Sequence, residues 1–180
     1  MRLFVGIPLA AEVIDELAAV LLRLKSKNDG LRWTEPESWH ITLEFLGNTA
    51  EEKYANLVEH LRQVHSPPVP VRLEELGFFE RAGVFFACVG LTPELLSLER
   101  RVAAATSLCG FAHEARPYHP HITLARDKGR GLRELKTRIQ RQPTFTRFVA
   151  EEFLLYESHL SSSGAHYEIR ERFRYSSSVR

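Results

Sequence analysis

Hydrophobic and polar positions along the chain divide it into short, alternating elements. The run Arg2-Leu3-Phe4-Val5-Gly6-Ile7-Pro8 predicts a strand ended by its proline. Over residues 10–27, Val13, Ile14, Leu17, Leu21 and Leu24 recur at steps of three and four, which predicts an amphipathic helix. Asn28-Asp29-Gly30 stops it. Leu31 to Thr34 reads as a short strand, Pro36-Glu37-Ser38 as a loop or single turn, and His40 to Leu46 as a strand closed by Gly47-Asn48. A second helix is expected over 50–64, with Tyr54, Leu57, Val58, Leu61 and Val64 on one side. Pro67-Pro68-Val69-Pro70 cannot be helical and reads as a connection between halves. Strands follow at Val71–Leu76 and Val84–Val89, across an Arg81-Ala82-Gly83 turn. Thr92 and Pro93 then form an N-cap and first-position pair that starts a third helix running to Gly110. Residues 118–126 read as extended, 130–142 as a polar, basic helix or loop, and 145–150, 152–158 and 167–173 as strands.

One piece of this pattern occurs twice. A helix, a short extended segment and the tetrapeptide His-Ile-Thr-Leu appear in each half, at His40–Leu43 and His121–Leu124. The spacings match to within a residue: Glu12 precedes His40 by one residue more than Glu94 precedes His121. Two copies at so long a period exclude a solenoid. The expected fold is α+β: two lobes related by approximate two-fold symmetry, each an antiparallel sheet with helices on its outer side and a cleft between them. Residues 1–180 then form a single bilobal domain.

Composition changes this picture little. Hydrophobic residues make up 44% and charged residues 26%, the balance of a globular chain. A net charge of +1 excludes a strong polyelectrolyte, so any nucleic-acid affinity must be local. Cys88 and Cys109 are too few for a disulfide framework, and both are expected as buried free thiols. No segment reads as a signal peptide or a membrane span, and a cytoplasmic protein is expected.

Strand alternation gives the tetrapeptides their chemistry. Ile41 and Leu43 point one way, His40 and Thr42 the other, and His121-Ile122-Thr123-Leu124 repeats this. Each lobe then buries Ile and Leu and presents His and Thr, and a shared cleft collects two imidazoles and two hydroxyls. Free histidine titrates at about pH 6.5, so one imidazole can take a proton while the other gives one, each transfer contributing about 10²–10⁴-fold in rate. The hydroxyls can donate to phosphate oxygens. The set suits a phosphodiester and needs neither metal nor cofactor.

These residues, with their flanks, resemble a known family. The paired motifs sit within Trp39-His40-Ile41-Thr42-Leu43-Glu44-Phe45-Leu46-Gly47 and Arg116-Pro117-Tyr118-His119-Pro120-His121-Ile122-Thr123-Leu124-Ala125-Arg126. The Arg2–Pro8 opening, Arg32-Trp33, Gly110-Phe111 and Leu155-Tyr156-Glu157-Ser158 with Gly164 and Tyr167 extend the likeness over nearly the whole chain. It is similar to the two-histidine phosphoesterases, and within them to the RNA 2′,3′-cyclic phosphodiesterases, also called 2′-5′ RNA ligases. The resemblance implies opening of a terminal 2′,3′-cyclic phosphate of RNA, or of a small cyclic nucleotide, to a 2′-phosphate. By it, His40 is the proton donor, His121 the proton acceptor, and Thr42, Thr123 and Arg126 bind the phosphate. The acid and base assignment rests on the resemblance alone.

Other candidates are secondary. Strict alternation places Arg126 on the wrong face, so it needs a strand end or a bulge to reach the cleft. Its counterpart Phe45 is assigned to the core, with stacking on a base as the alternative. Seven basic residues (Arg126, Lys128, Arg130, Arg133, Lys136, Arg138 and Arg141) face only Asp127 and Glu134; an RNA grip and a solvated helix face remain equal readings. His119 is either a substrate contact or a loop residue. His60, His65, His113, His159 and His166 are read as surface. Rival functions are a zinc hydrolase using Cys109, His113, His119 and His121, a non-catalytic nucleotide or RNA-end binder, and a ligase running the same chemistry in reverse. A monomer is expected.

Overall fold

In the computed structural model, which describes residues 1–127, 129, 131–161 and 164–175, the chain is α+β and all its strand pairs are antiparallel. The elements run β1 (Arg2–Pro8), α1 (Ala11–Leu24), β2 (Leu31–Trp33), β3 (His40–Asn48), α2 (Glu51–Arg62), β4 (Val69–Val71), β5 (Leu73–Phe79), β6 (Val84–Val89), α3 (Pro93–Ser107), β7 (His121–Asp127), α4 (Gly131–Arg138), β8 (Phe148–Ala150), β9 (Glu152–Ser161) and β10 (Gly164–Arg174). Short 3₁₀ turns occupy Pro36–Ser38 and Glu80–Ala82. Most expected elements appear within a few residues of their sequence bounds. The proline-rich connection differs: Val69-Pro70-Val71 is itself a strand, paired only with β8, a two-stranded edge where a missing N–H is tolerated. Thr92 caps α3 as its type predicts, its side chain accepting from Leu95 N at 3.2 Å.

Two four-stranded sheets carry the motifs, one ordered β10-β9-β1-β3 and the other β2-β7-β6-β5. β1-α1-β3 and β6-α3-β7 are the repeated unit, with β1 beside β3 and β6 beside β7. The halves are interleaved, however, and not sequential. β2, from the first half, pairs with β7 of the second sheet, and β9 from the second half pairs with β1. Helices cross over too: Thr106 of α3 donates to buried Glu44 of β3 at 2.6 Å, and Arg138 of α4 donates to the Leu24 carbonyl ending α1 at 3.0 Å. One hydrophobic cluster accordingly contains Ile41 and Leu43 together with Ile122 and Leu124.

Candidate active site

Each motif strand presents its tetrapeptide as the alternation requires. Ile41, Leu43, Ile122 and Leu124 are buried, while His40, Thr42, His121 and Thr123 are partly exposed. Each strand then breaks the alternation at the same place. Gly6 faces Thr42 and Val5 faces Glu44, so Leu43 is an extra residue; Phe86 faces Thr123 and Phe85 faces Ala125, so Leu124 is extra. After the bulge two successive residues are buried, Leu43-Glu44 and Leu124-Ala125, and the next side chain returns to the cleft face. Arg126 thus reaches that face by a bulge. Phe45 comes with it, and the core assignment is overturned: Phe45 is 71% exposed.

The two histidines are anchored alike. His40 Nδ1 is 2.8 Å from the Ser38 carbonyl oxygen, and His121 Nδ1 is 2.7 Å from that of His119. A carbonyl only accepts, so each Nδ1 carries the proton and each Nε2 is left to exchange protons with a ligand. His40 Nε2 lies 3.1 Å from the Thr42 hydroxyl. Both rings rest on aromatic shelves. His40 packs on Phe4, with ring centroids 4.5 Å apart, on Tyr156 at 5.6 Å and against Tyr167 at 5.2 Å. His121 meets the edges of Phe79 at 5.1 Å and Phe86 at 5.4 Å. Gly6 makes room beneath His40: a Cβ there would lie 2.9 Å from the Ile41 oxygen and 3.4 Å from His40 Cδ2.

This burial sets the electrostatics. Loss of water lowers His40 to about 4, the Ser38 carbonyl opposing and the charge of His121 adding to the effect. Burial also lowers His121, its bond to the His119 carbonyl opposing, with repulsion from His119 and Arg126 behind it. The imidazoles are close enough to repel each other, and Arg126 is close enough to repel His121. An anion placed among them would favour protonation of the pair.

Each motif strand is tied to the other half of the chain. Tyr118 donates its hydroxyl to the Thr42 carbonyl at 2.9 Å, and Thr34 Oγ1 lies 2.8 Å from the Thr123 carbonyl and 2.9 Å from that of Leu124. Neither tie was legible in the sequence, nor was the aromatic shelf, because both depend on which strands are neighbours.

The secondary readings fare unevenly. His119 contributes its carbonyl and an edge-on contact with Phe79 at 5.3 Å. His113 is more than surface: it lies between two buried carboxylates, 3.6 Å from Glu44 and 3.5 Å from Glu99. The zinc quartet is not assembled, since His113 is held there and Cys109 accepts from Asn56. Among the described residues, Glu157, His159 and Glu168 lie close enough to share an ion, but Glu157 is bound by Arg170 at 2.6 Å. Both cysteines are free; Cys88 is half-exposed, not buried, opposite His121 in the ladder. In the basic run, Lys136 is spent on Glu80, and Arg138 on Leu24 and Glu134. Lys128 and Arg130 lie outside the described residues. Among the described residues, no helix is long and apolar enough to cross a membrane.

The chain is similar to known proteins over most of its length. Residues 7–161 match the family model of the 2′-5′ RNA ligase superfamily. The chain is 30% identical over 174 residues to a protein of Methanocaldococcus jannaschii named RNA 2′,3′-cyclic phosphodiesterase, covering 94% of this chain and 98% of that one. It is 32% identical over 133 residues to a protein of the same name from Thermotoga maritima, with 71% of each covered. Among solved structures it is similar to Escherichia coli LigT in complex with 3′-AMP, with a TM-score of 0.83, 25% identity and 98% of both chains covered.

Proposed function

The chain belongs to the 2′-5′ RNA ligase superfamily, and from that premise we propose that its cleft hydrolyses the 2′,3′-cyclic phosphate at an RNA end to a 2′-phosphate. The observation that carries this reading is the matched anchoring of His40 and His121, each with Nδ1 on a backbone carbonyl and Nε2 turned away from it toward proton exchange. His121 takes a proton from water as the water oxygen bonds to phosphorus. His40 gives its proton to the 3′ oxygen as the P–O3′ bond breaks. Thr42 and Thr123 donate to the non-bridging oxygens, and Arg126 neutralises charge on the phosphate. The scheme uses no metal. His40, lowered by burial, must gain its proton with the substrate, whose negative charge favours the imidazolium. Phe45, exposed on the same face, offers a flat surface to a base. We take the working enzyme to be a cytoplasmic monomer.

An RNA oligonucleotide ending in a cyclic phosphate tests the reading. The expected product is a 2′-phosphate, with His40→Ala and His121→Ala each slower by about 10²–10⁴-fold while far-UV circular dichroism is unchanged. Binding without turnover by the unaltered protein would leave only an RNA-end binder. Joined strands exceeding hydrolysed ends at low RNA concentration would make it a ligase.

A further inference from the structure

Lobe two carries a like-charge pair that no packing argument explains. Arg32 of β2 and Arg126 of β7 are directly opposed in the ladder, so their side chains share a face, and both are exposed. Opposed like charges destabilise a sheet. Several exposed arginines elsewhere in the molecule are paired: Arg62, Arg72, Arg116 and Arg172 each hold a glutamate. Among the described residues Arg32 and Arg126 have no carboxylate partner, and neither does Arg2.

Lobe one brings Arg2 to the same place. In β1, Arg2 and Phe4 are two residues apart and therefore on one face, and the Phe4 ring carries His40. Tyr167 joins the two sides. Its ring stands edge-on to Phe4 at 5.0 Å and to His40 at 5.2 Å. Burial raises its hydroxyl, and the charges of Arg126, Arg2 and Arg32 oppose that rise, so all three guanidinium groups lie within electrostatic reach of one phenol. Of the three, Arg126 also repels His121 and so stands nearest the histidine pair.

Resting on the cyclic-phosphodiesterase reading, we propose that Arg2 and Arg32, with Arg126 between them and the histidines, form a second anion site that holds the phosphodiester adjoining the scissile end. The site makes the enzyme select an oligonucleotide end over a cyclic mononucleotide.

Two measurements test this. The first compares kcat/KM on 2′,3′-cyclic AMP, which has one phosphate, with that on the trinucleotide ApApA ending in a 2′,3′-cyclic phosphate. The unaltered enzyme should favour the trinucleotide, and Arg2→Gln and Arg32→Gln should each lose about tenfold more on it than on the mononucleotide. Arg32→Lys should recover part of that loss. The second is binding of ApApA with a terminal 2′-phosphate as salt is varied, where each Gln variant should flatten the slope of log affinity against log salt by about 0.7. Equal losses on both substrates, or an unchanged slope, would overturn the proposal. If the unaltered protein hydrolyses neither substrate, the catalytic reading fails while the salt slope still decides the anion site.

Discussion

At the scale of the residue, each motif imidazole is a weaker base than its free counterpart because aromatic rings replace water around it. His40 titrates at 6.5 in the unfolded chain and at about 4 in the folded one. Between those values the unfolded chain holds the additional proton, so the contribution of His40 to stability is full above 6.5 and is lost as pH falls toward 4. Urea midpoints at pH 7 and pH 4.5 should show this loss, and His40→Gln should reduce it; an equal loss in the variant would place the acid sensitivity elsewhere. The same shift acts on rate. In the free enzyme both imidazoles are pushed toward the neutral form, whereas bound phosphate restores a proton to the pair, so kcat/KM should peak at lower pH than kcat. Coincident optima would contradict that. Phe45→Ala should raise KM for RNA ends while changing the free energy of urea unfolding by no more than about 0.5 kcal/mol, since the ring is exposed.

At the scale of the element, the bulge after each threonine aims the site. It lets one strand bury Leu124 and Ala125 in succession and still return Arg126 to the cleft. Gly6 is the corresponding device on β1, where a side chain would press on the Ile41 carbonyl and the His40 ring. Gly6→Ala should therefore cost about 1–3 kcal/mol and slow hydrolysis by tenfold or more, read from urea unfolding and initial rates on one preparation. A variant as active and stable as the parent would show that β1 and β3 separate freely. The sequence carried the helices, the motif strands and the faces of His, Thr, Ile and Leu, because each follows from local periodicity. It did not carry the bulge, since Leu-Glu-Phe and Leu-Ala-Arg are compatible with either alternation. Nor did it carry the burial of Glu44, a residue type that periodicity assigns to solvent and that is buried beside Thr106 and His113.

At the scale of the whole molecule, the two lobes are not the two halves of the sequence. The repeated order of elements was visible, but the exchange of β2 and β9 between sheets was not, because nothing local in a strand names its partner. We infer that residues 1–180 behave as one folding unit. Urea unfolding followed by tryptophan fluorescence (Trp33 and Trp39) and by circular dichroism should give a single coincident transition, and a chain ending at Ala150 should fail to fold. Two separated transitions would restore independent lobes. The interleaving also matters during synthesis. β1 lies between β3 and β9, so the sheet bearing His40 waits for residues beyond Glu152. At ribosomal rates of about 5–20 residues per second, the first motif would be made roughly 5–20 s before its sheet can close. Over that interval β1 presents a hydrogen-bonding edge to whatever is near it, and the nascent chain has no working cleft with which to open the cyclic phosphates on RNA ends around it.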